Sequence, residues 1–169
     1  MKLKIIFFSI LAGWVAFIVY LSSQPYHQQD LRPLIKENVN LEFVETHFSS
    51  VTFTYAGSEV SVERMGEARY IEFFIRKGAH LFVFFVLGSL IYSFLRALKV
   101  ERLVLWSFLF IVLFAISDEL HQAITPHRTP LVEDVLLDVI GGTLGILIVR
   151  FILTKKYTVG VGSHQKEVN

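Results

Sequence analysis

Long apolar runs alternate with short polar breaks along this chain. The runs extend from about Ile5 to Leu21, Ala79 to Leu98, Leu103 to Ile116 and Leu131 to Leu153, the third continuing as helix to Ile124. Each approaches the ~20 residues that a helix needs to cross a ~30 Å hydrocarbon core. The pattern therefore predicts four membrane-spanning helices. Lys2 and Lys4 precede the first run, as in a secretory signal. That run is longer than a usual signal core, however, and Leu21-Ser22-Ser23-Gln24 makes a poor cleavage site, so residues 1–21 are expected to remain as an anchor.

Residues 22–70 have a different texture. From Gln28 to His47, charges mix with Leu31, Leu34, Ile35, Leu41 and Val44, which predicts short amphipathic helix. Over 51–62 the apolar positions Val51, Phe53, Tyr55, Val60 and Val62 alternate around Ala56-Gly57-Ser58, a β-hairpin pattern with Gly57 in the turn. From about Glu67 a helix is expected to lead straight into the second span. The expected organisation is an anchor at 1–21, a hairpin-bearing insertion at 22–70, a three-helix core at 71–153 and a loose polar tail at 154–169.

Composition strengthens the membrane reading and narrows the chemistry. The 169 residues are 53% apolar and include 16 Phe, while the net charge of only +1 leaves no footprint for nucleic acid. With no cysteine, disulfides, thiolate metal sites and thiol nucleophiles are all excluded. No nucleophile elbow, phosphate loop or zinc-helix motif occurs. The fold class is an all-α integral membrane protein, a four-helix bundle with a small extracytoplasmic insertion between the first two spans.

Basic residues set the expected orientation. Lys2, Lys4, Arg96, Lys99, Arg102, Arg150, Lys155 and Lys156 flank the span ends of one side, which places that side and both termini in the cytoplasm. The other ends hold the unusual polar groups. Lys77 and His80 open the second span, Asp118, Glu119 and Gln122 close the third, and Asp134 and Asp138 open the fourth. In an up-down-up-down bundle these ends meet on one side, here the outer one, together with Ser22, Ser23 and Gln24. Lys77 with His80, Asp118 with Gln122, and Asp134 with Asp138 are three or four residues apart, so each pair shares a helix face. Asp138 lies roughly 10 Å inside its span at about 1.5 Å per residue. A charge turned toward lipid at mid-bilayer costs about 2.5–3.5 kcal/mol on insertion scales, so these groups are expected to face one another around a polar pocket. Gly141, Gly142 and Gly145, with Gly88 on the second span, permit close helix approach beside it.

These residues form a recognisable set. KGAH at 77–80, SDELHQ at 117–122, HR at 127–128 and EDVLLDVIGGTLG at 133–145 resemble the VanZ-like family of small bacterial membrane proteins, over roughly residues 70–150. The resemblance implies a cell-envelope setting and a link to teicoplanin-type glycopeptide resistance, without implying a reaction.

On the chemistry of the residues, Lys77 and Arg128 are candidates to hold an anion, and Asp118, Asp134, Asp138 and His80 to carry any acid–base work. Asp134 and Asp138, one turn apart, read as an acid–base pair or a proton relay. Glu119 is expected to bridge to Lys77 or Arg128, and Gln122 to join the ligand-binding face. A divalent cation held by His80, Asp118, Asp134 and Asp138 is a further possibility. The expected partners are the bilayer and a membrane lipid or lipid-linked wall precursor, either bound or modified. The alternative is a non-catalytic binding or proton-coupled transport role for the same pocket.

Overall fold

The computed structural model describes residues 2–124 and 130–164, without the side chains of Tyr26 and of residues from 156 onward. Four of its helices are long and apolar enough to cross a membrane: α1 (Lys2–Ser22), α5 (Glu67–Ala97), α6 (Leu103–Ala123) and α7 (Val132–His164). Between α1 and α5 come a single 3₁₀ turn (Tyr26–Gln29), α2 (Arg32–Asn38), α3 (Leu41–Phe48), a hairpin of β1 (Phe53–Tyr55) and β2 (Ser58–Val60), and the one-turn α4 (Val62–Met65). The predicted amphipathic stretch is thus two helices, divided where Asn40 leaves helical geometry and its side chain accepts from the Phe43 amide to start α3.

The hairpin pairs Phe53 with Val60 and Tyr55 with Ser58, around a two-residue turn of Ala56 and Gly57. Both turn residues have positive φ, 49° and 70°, the geometry whose twist matches that of the flanking strands. A two-stranded ribbon is marginal alone. This one buries Val60 with Val44, Val62 and Tyr70, in a small core separate from that of the bundle.

α5 is the post of the structure. Its 31 residues reach roughly 46 Å at about 1.5 Å per residue, longer than a ~30 Å hydrocarbon layer, and its first turns carry the insertion. Further along, Phe84, Leu87 and Ile91 pack with Ile18, Ile111 and Ile146 from the other three long helices. α5 and α7 run in the same direction with their backbones nearly touching. A Cβ added at Gly141 would strike the Leu81 carbonyl, one at Gly145 the Phe85 carbonyl, and one at Gly88 the Gly142 carbonyl. The small-residue seam expected from the sequence is therefore the α5–α7 contact itself. α1 is attached more lightly; its Trp14 indole donates 3.0 Å to the Val83 carbonyl. At the far end of α7 the backbone stays helical to His164, where the sequence predicts a loose tail from residue 154.

Candidate functional site

The polar ends of the four long helices meet, and their side chains sort into distinct partnerships. Lys77 Nζ donates to Asp134 Oδ1 at 2.5 Å, and the Tyr55 hydroxyl donates to the same oxygen at 2.5 Å. One carboxylate thereby joins α5, α7 and the hairpin. The Lys77 ammonium also lies 4.6 Å from the centre of the Tyr55 ring, close enough for a cation–π attraction. Burial, and next the hydrogen bond to Asp134, hold the Tyr55 phenol well above the ordinary tyrosine range. A turn deeper, His80 Nδ1 lies 3.2 Å from Asp138 Oδ1. Asp138 is wholly buried, and its Oδ2 has no hydrogen-bond partner among the described residues.

These rungs differ from the sequence expectation in their pairing. Asp134 and Asp138, expected to face each other as an acid–base pair or a proton relay, instead each face a basic partner from α5. The glycine contact explains why. It brings the α5 and α7 backbones so close that residues 77 and 80 stand opposite 134 and 138.

A second set joins α1 to α6. Asp118 accepts from the Ser22 hydroxyl at 2.5 Å and from the Gln122 amide at 2.9 Å, so both of its oxygens are satisfied by neutral donors. His121 meets the Ser23 hydroxyl at 2.9 Å, a tie that its place near a span end did not announce. Glu119, expected to bridge to Lys77 or Arg128, does not meet Lys77, and Arg128 lies outside the described residues. Its Oε1 accepts the Leu131 amide at 2.5 Å, fixing the chain just before α7, while Lys77 is engaged by Asp134. His127, beside Arg128, also lies outside the described residues.

Residues that sequence reasoning passed over hold the insertion in place. Glu72 of α5 is buried. It accepts the Leu31 amide at 3.2 Å and stands 3.5 Å from Arg76 and 3.9 Å from Arg32. Arg32 also pairs with Asp30 at 2.6 Å, and these hydrogen bonds hold the Asp30 carboxyl down to about 2. Arg76 donates 3.3 Å to the Gln29 carbonyl, and Gln29 donates 2.7 Å to the Leu21 carbonyl. The available signal was a buried-type spacing: Ala68 and Glu72 lie four apart, on a face that the insertion covers.

Two cavities adjoin this network. A slot of about 300 Å³ is walled by Ile18, Leu21, Ile75, Ala79, Val83 and Phe84, with Ser22, Gln29, Asp118 and Gln122 toward its polar end. A chamber of about 650 Å³ lies under the hairpin, lined by Tyr55, Glu59, Arg64, Arg69, Glu72, Lys77 and Asp134 among others. Arg76, His80 and Gln122 line both. Among the described residues, no group of three or more His, Asp or Glu is placed to hold a metal ion. The cation set of His80, Asp118, Asp134 and Asp138 is therefore not assembled.

An apolar slot and a charged chamber that share Arg76, His80 and Gln122 as lining, at one end of a four-helix bundle, together make an amphiphilic site. The chain belongs to the VanZ/LLP1 family, whose model matches residues 7–153. The match takes in α1 and the insertion, beyond the 70–150 stretch that carries the motifs. Searches of curated proteins and of solved structures find no match. Family and architecture together point to a multi-pass membrane protein.

Proposed function

We propose that this protein binds an envelope lipid or a lipid-linked wall precursor in the outer leaflet, and that this binding contributes to teicoplanin-type glycopeptide resistance. The observation that carries the reading is that slot and chamber lie side by side and share Arg76, His80 and Gln122. A ligand spanning both would need an apolar tail and a polar head, which is the chemistry of a lipid. Pockets of this size, mostly apolar with a few convergent polar groups, are typical of small-molecule sites. The positive-inside pattern supports an outward-facing polar end, on the side where wall precursors are used.

A second reading, turnover of that lipid, is favoured by one further observation. His80 borders both cavities while its Nδ1 faces a wholly buried carboxylate. Asp138 would then orient the ring and stabilise its protonated form, leaving the other ring nitrogen to exchange a proton with the headgroup.

Mass spectrometry of lipid carried through detergent extraction tests the reading. Ala79 lines the slot and makes none of the polar ties itself, and Ala79→Phe places a ring in that slot. The wild type should retain a defined lipid, and Ala79→Phe should lose both that lipid and teicoplanin protection at equal abundance. Identical lipid content in the two proteins would refute the proposal.

A further inference from the structure

Six basic residues lie between the first and second spans, Arg32, Lys36, Arg64, Arg69, Arg76 and Lys77. The structure accounts for half of them by ion pairs: Arg32 with Asp30 and Glu72, Arg76 with Glu72, and Lys77 with Asp134. Lys36, Arg64 and Arg69 have no ion pair among the described residues. Of these three, Arg64 and Arg69 both line the chamber, and Lys36 does not.

Arg64 comes from α4 and Arg69 from the start of α5. Gly66 lies between them at φ 75°, turning the chain from one helix into the next. Both are exposed, whereas their neighbours Val62 and Ala68 are buried and fix the backbone that carries them. The remaining acid of the chamber is Glu59, whose Oε1 already accepts the Ser61 hydroxyl at 2.7 Å. With the Lys77–Asp134 and Arg76–Glu72 pairs internally neutral, two guanidinium groups face one carboxylate. Among the described residues, the chamber is left with a single net positive charge.

We infer that Arg64 and Arg69 form an anion subsite in the chamber for a phosphate ester, the headgroup phosphate of the amphiphile whose tail takes the slot. This rests on the lipid reading above and deepens it. A phosphodiester carries one negative charge at neutral pH, which matches the chamber. A guanidinium presents a planar fork of N–H donors suited to phosphate oxygens. The insertion, through α4 and the hairpin, then supplies headgroup selectivity, while the bundle supplies the tail site.

The test uses the full-length protein in nanodiscs and three probes: phosphatidylglycerol, the neutral monoglucosyl diacylglycerol, and free glycerol 3-phosphate. Native mass spectrometry should show the wild type retaining phosphatidylglycerol over the neutral glycolipid by roughly tenfold or more, the scale of one or two charge-assisted hydrogen bonds. The Arg64→Gln/Arg69→Gln double variant should hold both lipids equally, with retention of the neutral one unchanged. Lys36→Gln should keep the preference. Survival of the preference in the double variant, or equal erosion by Lys36→Gln, would overturn the subsite. Competition by glycerol 3-phosphate at concentrations equal to the lipid would reassign it to soluble esters and overturn the lipid source. If the wild type retains neither lipid, the lipid reading falls and takes the subsite with it. Retention without preference removes the subsite alone.

Discussion

Asp118 and Asp138 are both buried carboxylates at the polar end of the bundle, and the sequence offers no reason to rank one above the other. Their surroundings differ in kind. Asp118 sits between α1 and α6, where Ser22 and Gln122 satisfy both of its oxygens with neutral donors. Asp138 sits between α5 and α7, with His80 on one oxygen and no described partner on the other. A carboxylate fully saturated by neutral donors is a fastening. A carboxylate set against a titratable ring beside two cavities has chemistry left over. The contrast shows that a buried acid in a membrane bundle is assigned a role by its partners, and its depth alone says little.

The largest expected effect comes from the seam that makes this contrast possible. Gly145→Val would drive a side chain into the Phe85 carbonyl, and α5 and α7 would have to part. Overpacking costs roughly 1–3 kcal/mol where side chains can give, and more against rigid backbone. The detergent-solubilised variant should melt at least several degrees lower, and protection should disappear. Gly78→Ala, with no atom within 4 Å of the added methyl, should melt like the wild type. Equal melting of Gly145→Val and wild type would show that the two helices do not meet as described.

Next in size is the comparison of the two acids. Asp138→Asn keeps the shape but removes the charge opposite His80, and should reduce teicoplanin protection at least tenfold at unchanged abundance, the scale of losing an acid–base partner. Asp118→Asn still offers Ser22 and Gln122 one oxygen and one amide, and both neighbours can reorient. Protection and melting should stay close to wild type. Loss of protection in both variants alike would erase the distinction between the seams.

The smallest effect is spectroscopic. The Tyr55 phenol is held above the ordinary tyrosine value of about 10, so its contribution to stability is fully present below that pH and fades only as pH climbs toward the raised folded value. Ultraviolet titration of the folded protein should therefore show the same tyrosinate step near pH ~10 in wild type and Tyr55→Phe. A smaller step in the variant would mean that Tyr55 ionises freely and the hairpin is not fastened to Asp134.

Much of this architecture was legible in the chain. Four apolar runs, the alternation around Gly57, and the glycines at 141, 142 and 145 are local signals, and periodicity reports them directly. The meeting of Lys77, His80, Asp118, Asp134 and Asp138 at one end follows from up-down topology. Partner choice was less accessible. A helical face can be read from spacing, but which neighbour it meets depends on the packing order of the helices. That is why Asp134 and Asp138 looked like a pair and Glu119 like a partner for Lys77. Glu72 and Arg76 escaped notice for another reason. They sit in a charged stretch where any polar residue passes as solvated, and only the folded insertion buries Glu72.

The α5–α7 seam has a consequence for how the gene can drift. At Gly141 and Gly145 every possible replacement adds atoms where the α5 backbone already stands, so these codons have no neutral neighbour among amino acids. The start of α1, with Leu3, Ile5 and Ile6 exposed, accepts any apolar side chain that keeps the helix greasy. Descendants of this chain are thus free to diverge along the first span and bound to stay alike along the last.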